Sequence, residues 1–135
     1  MAMCNRSAEK STRRLVLLVD DDMRVRESLK GLFGSAGIET LSFDSGEALL
    51  RSNVLATSSC LITDVRMPGM DGWELQALVS KIHPHVLIIF ISAFQDSREV
   101  ERAFALGAFA LLHKPFDGED LLRIVEAALS QSVGL

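Results

Sequence analysis

Acidic side chains follow two aliphatic segments of the chain, at the points where those segments end. Residues 20–22 are all aspartate and come directly after residues 15–19, and Asp64 follows residues 60–63. Carboxylates that lie close together repel one another, and a bound cation relieves that repulsion. Mg²⁺ prefers a few carboxylates together with water and phosphate oxygens. Because a carboxylate can also attack phosphorus, these residues could support phosphoryl transfer to an aspartate.

A hydroxyl group and an ammonium group follow two further apolar segments. Ser92 comes after residues 86–91, and Lys114 comes after residues 110–113. Both groups could bind phosphoryl oxygens, and phosphoryl transfer depends mainly on positioning and charge neutralisation. The acidic residues, Ser92 and Lys114 could each also have an ordinary structural role. Asp22 can cap a helix, for example, and Lys114 precedes a proline that turns the backbone. Their joint placement indicates a site.

The elements that must position these residues alternate along the chain. The aliphatic runs lack polar alternation, which is typical of parallel strands covered by helices on both faces. Segments of helical periodicity separate them, with Asp22 and Ser45 as predicted N-caps and Gly37 as a predicted stop. The order βαβαβαβαβα predicts one α/β domain with a parallel sheet and right-handed crossovers. Ligands of such sheets bind beyond the carboxyl ends of the strands, where the acidic residues fall.

Composition agrees with one compact domain. The chain has 135 residues, of which 48% are hydrophobic, so it can bury one core. We expect a flexible N-terminal tail at residues 1–13, a domain at 14–131 and a C-terminal tail at 132–135. Residues 1–14 carry a net charge of +3 and the remainder −7. The acidic remainder argues against nucleic-acid binding by the domain itself, although the basic arm leaves such a role open.

The sequence predicts a cytoplasmic protein. The two cysteines do not form a disulfide or zinc pattern, the N-terminus lacks a secretory signal, and no apolar run is long enough to span a membrane.

The fourth predicted helix carries Val100, Ala103, Phe104 and Leu106 at helical spacing, and we expect Phe104 to pack in the core.

Four motifs resemble the response-regulator receiver family of two-component signalling: LLVDDD at residues 17–22, LITDVRMPGMDG at 61–72, FISA at 90–93 and HKPF at 113–116. The resemblance covers about residues 14–129. It implies a flavodoxin-like doubly wound (βα)5 fold, the chemotaxis-type receiver fold, with a five-stranded parallel sheet of order 2-1-3-4-5. Within the family, the motifs are most similar to receivers of the nitrogen-fixation-regulator type.

The resemblance implies roles for the acidic residues. Asp64 would be the phosphoryl acceptor and would contribute to the metal site. Asp21 would ligate Mg²⁺ directly, Asp20 would support the ion through water or indirect contacts, and the backbone carbonyl of Arg66 would be a further ligand. Mn²⁺ is an alternative ion.

The resemblance also implies a switch around the phosphoryl group. Ser92 and Lys114 would bind phosphoryl oxygens, with Ser92 moving toward the phosphate on activation and the small Ala93 beside it. The peptide bond before Pro115 is typically cis in this motif.

Two flanking positions depart from the commonest family pattern. Leu111 stands where many receivers have an aromatic residue that swings inward, and Phe109 is two residues away on the same predicted strand face. Phe94 stands at a position that is often polar, and together with Arg66 it should flank the phosphoryl group. These side chains could alter the lifetime of the phosphorylated form.

The resemblance further implies a sensor histidine kinase as phosphoryl donor and an output through the fourth and fifth α/β units. The output could be a C-terminal DNA-binding domain absent from this chain or a separate downstream protein, and a phosphorylation-dependent homodimer is a further option. The chain would catalyse only its own phosphorylation and dephosphorylation.

Two other functions compete with the receiver interpretation. A phosphohydrolase with an aspartyl nucleophile usually needs a second acid two residues later, where this chain has Arg66. An interaction module with the same fold but a degenerate site would have lost part of the residue set, which here is complete: Asp20, Asp21, Asp64, Ser92 and Lys114.

Overall fold

A computed structural model of the chain describes residues 14–93 and 96–133. Strands and helices alternate throughout: β1 Leu15–Val19, α1 Met23–Ser35, β2 Glu39–Phe43, α2 Gly46–Ser52, β3 Cys60–Asp64, α3 Gly72–Ile82, β4 Leu87–Ser92, α4 Ser97–Ala105, β5 Ala110–His113 and α5 Gly118–Val133. A short 3-10 helix, Leu55–Thr57, precedes β3. The predicted N-terminal tail, residues 1–13, lies outside the described residues. Helix α5 continues to Val133, two residues past the predicted domain limit.

The five strands form one parallel sheet in the order β2-β1-β3-β4-β5. This confirms the predicted doubly wound, flavodoxin-like architecture. Every residue of β1 and β3 is buried, because helices cover both faces of the sheet centre. Strand order reverses between β1 and β3, and this reversal leaves a crevice at their carboxyl ends.

Two apolar clusters fill the space between the sheet and its helices. Alternate residues of β1 point to opposite faces: Leu17 packs on the face covered by α2, α3 and α4, whereas Leu18 packs on the face covered by α1 and α5. The sheet is therefore held from both sides, and its central strand ends are fixed in position.

Helix termini follow the predicted capping residues. The Asp22 side chain accepts a hydrogen bond from the backbone N–H of Arg24, and the Ser45 side chain accepts one from Ala48. Gly37 follows α1 with a φ of 75°, a conformation that glycine adopts without strain. Both N-caps and this stop signal are confirmed.

The core prediction for Phe104 is wrong. Helix α4 buries Glu99 and Ala103, which lie one turn apart, and leaves Phe104 53% exposed. Phe104 follows Ala103 by one residue, or about 100° around the helix, so it lies off the buried face. The apolar spacing alone did not reveal that a charged residue occupies the inner face of this helix.

The structure also corrects the expected relation between Phe109 and Leu111. Leu111 packs with the cluster beneath α3 and α4, whereas Phe109 packs with the cluster beneath α5, on the opposite face of the sheet. Strand β5 begins only at Ala110, so Phe109 precedes the regular alternation of side chains along the strand. Phe109 therefore cannot take the place of the missing aromatic residue.

Burial makes Cys60 unreactive in the folded protein. Loss of water around this fully buried thiol raises its pKa from 9.0 to about 12. At pH 8, in a Cys4→Ser background, we expect iodoacetamide to alkylate native Cys60 about a thousandfold more slowly than the unfolded chain, because only the thiolate reacts. Peptide mass spectrometry over time measures both rates, and equal rates in buffer and denaturant would contradict the prediction.

The same shift has a consequence for stability. Above pH 9 the unfolded thiol loses its proton while the folded thiol keeps it, so this contribution to the free energy of unfolding falls as the pH rises toward 12.

Within residues 14–93 and 96–133, no helix combines the length and apolar character needed to cross a membrane.

Candidate functional site

The three consecutive aspartates after β1 have separate environments. Asp20 is completely buried, and its Oδ1 accepts a hydrogen bond of 2.9 Å from the backbone N–H of Asp22. Asp21 is exposed. Asp22 caps α1, and hydrogen bonds from the Arg24 side chain and backbone hold the pKa of Asp22 below its usual value. The turn after β1 thus directs Asp20 and Asp21 to the crevice and assigns Asp22 to the helix.

Asp64 ends β3, the strand next to β1, and its side chain meets those of Asp20 and Asp21. Carboxylate oxygens from these three residues all lie within 4.8 Å of one another. Three hard oxygen donors at that spacing, two of them on buried residues, match the donor set that Mg²⁺ prefers. The observed cluster therefore fits the predicted ion. The backbone N–H of Arg66 also donates to Asp64 Oδ1 at 3.3 Å.

Lys114 reaches this cluster from the end of β5. Its Nζ donates to Asp20 Oδ2 at 3.1 Å and to Asp64 Oδ2 at 3.0 Å, so one ammonium bridges the two buried carboxylates. The Lys114 backbone N–H donates to the Ser92 carbonyl oxygen at 2.7 Å. The Lys114–Pro115 peptide bond is cis, as predicted. The structure therefore brings together residues from three strand ends that lie far apart in sequence.

The charges of the cluster oppose the effects of burial. Burial is the largest influence on Asp20 and raises its pKa, despite the opposing effects of the Asp22 backbone hydrogen bond and the Lys114 charge. For Lys114, burial lowers the pKa, but the hydrogen bond to Asp64 and the charges of Asp20 and Asp64 outweigh it and leave the pKa raised. Lys114 is therefore a cation at neutral pH, and it partly offsets the repulsion between the carboxylates.

Gly72, the first residue of α3, packs directly against the backbone that carries Asp64. Its N–H donates to the Val65 carbonyl oxygen at 2.8 Å. A Cβ atom at this position would lie 2.3 Å from the Asp64 carbonyl oxygen and 2.9 Å from the Val65 Cα. Only glycine permits this close approach, which fixes the loop after β3.

Ser92, the last residue of β4, contacts a residue that the sequence did not predict for the site. The Ser92 hydroxyl donates to Glu99 Oε1 at 2.6 Å, and the Arg66 guanidinium donates to Glu99 Oε2 at 2.7 Å. Glu99 is only 6% exposed, although it belongs to the first turn of α4. An acidic residue in a first helical turn is favoured by the helix dipole and is usually solvated, so no sequence signal distinguished it.

The remaining predicted residues flank the site. Ala93 is exposed directly after Ser92, and Leu111 is half-buried against the cluster that includes Trp73 and Phe90. Phe94 lies outside the described residues.

The Trp73 side chain packs between Phe90 of the sheet and Arg102 of α4. Its ring lies 4.6 Å from the ring of Phe90, centroid to centroid, and the Arg102 guanidinium lies 4.6 Å from the Trp73 ring centroid. Because Trp73 directly follows Gly72 and Arg102 belongs to α4, these contacts link the helix to the loop beside the site.

Comparison with known proteins agrees with this geometry. The family model for the response regulator receiver domain matches residues 16–126. Nodulation protein W of Bradyrhizobium diazoefficiens is 40% identical over 120 residues, which cover 89% of this chain and 53% of that protein. Transcriptional regulatory protein FixJ of Azorhizobium caulinodans is 37% identical over 117 residues, which cover 87% of this chain and 56% of that protein. The chain thus spans about half the length of these curated relatives.

A solved structure shows the same likeness. Response regulator StyR superimposes with a TM-score of 0.81 and 40% identity, over 89% of this chain and 61% of that one. The residues that the family model matches, 16–126, include all of β1 except Leu15, the other four strands and the acidic residues at the strand ends, which the motifs at residues 17–22 and 61–72 had indicated. This chain belongs to the response regulator receiver domain family of two-component signalling.

Proposed function

We propose that Asp64 accepts a phosphoryl group from a sensor histidine kinase in an Mg²⁺-dependent reaction, and that the modified domain controls an output domain or partner protein. The observation that carries this proposal is the convergence of Asp20, Asp21 and Asp64 with Lys114 at one rim of the sheet. Transfer of a phosphoryl group to an aspartate requires a carboxylate nucleophile, a cation site and a positioned ammonium group.

In the proposed reaction, an Asp64 carboxylate oxygen forms a bond to phosphorus as the phosphorus–nitrogen bond of the donor phosphohistidine breaks. Asp20, Asp21, Asp64 and the Arg66 backbone carbonyl would hold Mg²⁺, or Mn²⁺ as an alternative. The bound ion would offset negative charge on the carboxylates and on the phosphoryl oxygens. The domain would catalyse only its own phosphorylation and dephosphorylation.

Lys114 and Ser92 would bind the phosphoryl oxygens after transfer. Lys114 already donates to Asp64 Oδ2, so a small movement would redirect its ammonium from the carboxylate to the phosphoryl group. Ser92 would bring its hydroxyl toward the same group, with Ala93 providing space and Arg66 and Leu111 flanking it. These roles use charge-assisted hydrogen bonds, the strong class of such contacts.

The proposed output surface comprises α4, β5 and α5. Phe104 is exposed on α4 and is available for a phosphorylation-dependent homodimer or a partner. The similar protein FixJ is a transcriptional regulatory protein, so a DNA-binding output domain is one proposed recipient of the signal. We also propose that the protein is cytoplasmic and that this domain makes no direct contact with nucleic acid.

Phosphorylation by a small-molecule donor tests the proposal. Intact-mass spectrometry of the wild-type chain, incubated with acetyl phosphate and Mg²⁺, should show a gain of one phosphoryl group within minutes. The adduct should not form with excess EDTA, because the carboxylate cluster then lacks its ion. An unmodified mass under both conditions would contradict the proposed function, and an adduct that forms equally well in EDTA would contradict its metal dependence.

A further inference from the structure

Glu99 holds two residues of the site with its two carboxylate oxygens. Oε1 accepts the hydrogen bond from the Ser92 hydroxyl at 2.6 Å, and Oε2 accepts the bond from Arg66 at 2.7 Å. Ser92 is completely buried and Glu99 nearly so, whereas the Arg66 side chain is 59% exposed. A carboxylate can be buried at low cost only when its oxygens are satisfied, and here both have partners.

The hydroxyl of Ser92 has a single proton to donate. While that proton is directed to Glu99, it is not available to a phosphoryl oxygen on Asp64. A hydrogen bond to an ionised acceptor is also about twice as strong as one between neutral groups. Moving the Ser92 hydroxyl toward Asp64 therefore requires breaking a strong, buried contact.

We propose that Glu99 is a latch, a positioning residue that retains the Ser92 hydroxyl in the unphosphorylated state. It thereby sets the free-energy difference between the unphosphorylated conformation and the one in which Ser92 faces Asp64. The proposal rests on the proposed function, because it assumes that Ser92 binds the phosphoryl group. A ligand that needs the released hydroxyl binds only the molecules in which the hydroxyl is free. Its apparent affinity is therefore its intrinsic affinity multiplied by the fraction of such molecules. Removing the latch raises that fraction and tightens binding.

The Arg66 contact connects the latch to the loop after β3. Arg66 lies two residues after Asp64, and its backbone N–H contacts the Asp64 carboxylate. Glu99 therefore connects α4 to the loop after β3 as well as to the end of β4. Breaking both of its contacts would remove these two polar links between α4 and the site, so the latch couples Ser92 to the helix on which Phe104 is exposed.

Beryllofluoride, a phosphoryl mimic, provides the test. Isothermal titration calorimetry in Mg²⁺ should give a half-saturating concentration about tenfold lower for Glu99→Ala than for wild type, since a charge-assisted hydrogen bond no longer competes. Glu99→Gln keeps the size and one acceptor oxygen but loses the charge, so it should fold and show a decrease of about threefold. Glu101→Gln makes the same charge change at an exposed position of α4 and should match wild type.

A double-mutant cycle separates the latch from a general charge effect. In a Ser92→Ala background there is no hydroxyl to retain, so adding Glu99→Ala should change the half-saturating concentration by less than about twofold. An equal gain with and without the Ser92 hydroxyl would overturn the proposal, as would unchanged or weaker binding in Glu99→Gln. Failure of the wild-type chain to bind beryllofluoride would overturn the proposed function and the latch together, whereas normal wild-type binding without an effect at Glu99 would overturn the latch alone.

Discussion

The Asp64→Asn variant should form less than about 1% of the wild-type phosphoryl adduct, because it lacks the nucleophilic carboxylate oxygen. The amide keeps the size of the side chain and can still accept the hydrogen bond from Lys114. The fold should therefore persist while the chemistry is lost. Intact-mass spectrometry with acetyl phosphate and Mg²⁺ measures the adduct, and circular dichroism checks that the variant is folded.

The matched control is Asp44→Asn. Asp44 directly follows β2, so it too lies at the carboxyl end of a strand, but it is exposed and outside the carboxylate cluster. This variant should be phosphorylated like wild type. If Asp64→Asn retained the adduct, peptide mapping would show another acceptor, and the assignment of Asp64 would be wrong.

Gly72→Ala should lower the free energy of unfolding by about 3 kcal/mol and the melting temperature by roughly 10 °C. The added methyl group would meet the Asp64 carbonyl oxygen at 2.3 Å, and the obstacle is backbone of a buried central strand rather than a flexible side chain. Relief requires α3 or the loop after β3 to move, which would also displace the Asp64 carboxylate. Thermal and urea unfolding measure the loss.

Gly31→Ala is the corresponding control on α1. A Cβ atom at Gly31 has no neighbour within 4 Å, and alanine is the better helix former, so this change should raise stability by about 0.5–1 kcal/mol. Opposite signs at the two glycines would identify close backbone approach as the cause. A Gly72→Ala variant as stable as wild type would show that the contact relaxes freely.

The parts of this molecule that depend on local pattern could be predicted from its sequence. Aliphatic runs marked the strands, and because parallel strands end at one rim, the sequence predicted that Asp20, Asp64 and Lys114 lie together, as their hydrogen bonds show. Capping side chains at Asp22 and Ser45 followed from the same local chemistry. These features need only short segments of chain to specify them.

What the sequence could not predict depends on which way a helix faces. Apolar spacing suggested that Phe104 is buried, yet α4 directs Glu99 and Ala103 inward. Glu99 can lie on that inner face because Ser92 and Arg66, from two other segments, supply its hydrogen bonds. These hydrogen bonds, which make burial of the Glu99 carboxylate possible, form only when the tertiary structure brings the three segments together. Hydrophobic periodicity along the sequence therefore could not predict that Glu99 is buried.

The contact between Arg102 and Trp73 has a practical consequence. Trp73 is the only tryptophan of the chain, it is nearly buried, and the guanidinium over its ring belongs to α4. Indole emission depends on nearby charge and on access of water, so the tryptophan fluorescence of the unlabelled protein arises from one known place, where the first turn of α3 meets α4. The molecule thus contains its own optical probe of this helix, and stopped-flow experiments on it require no attached dye.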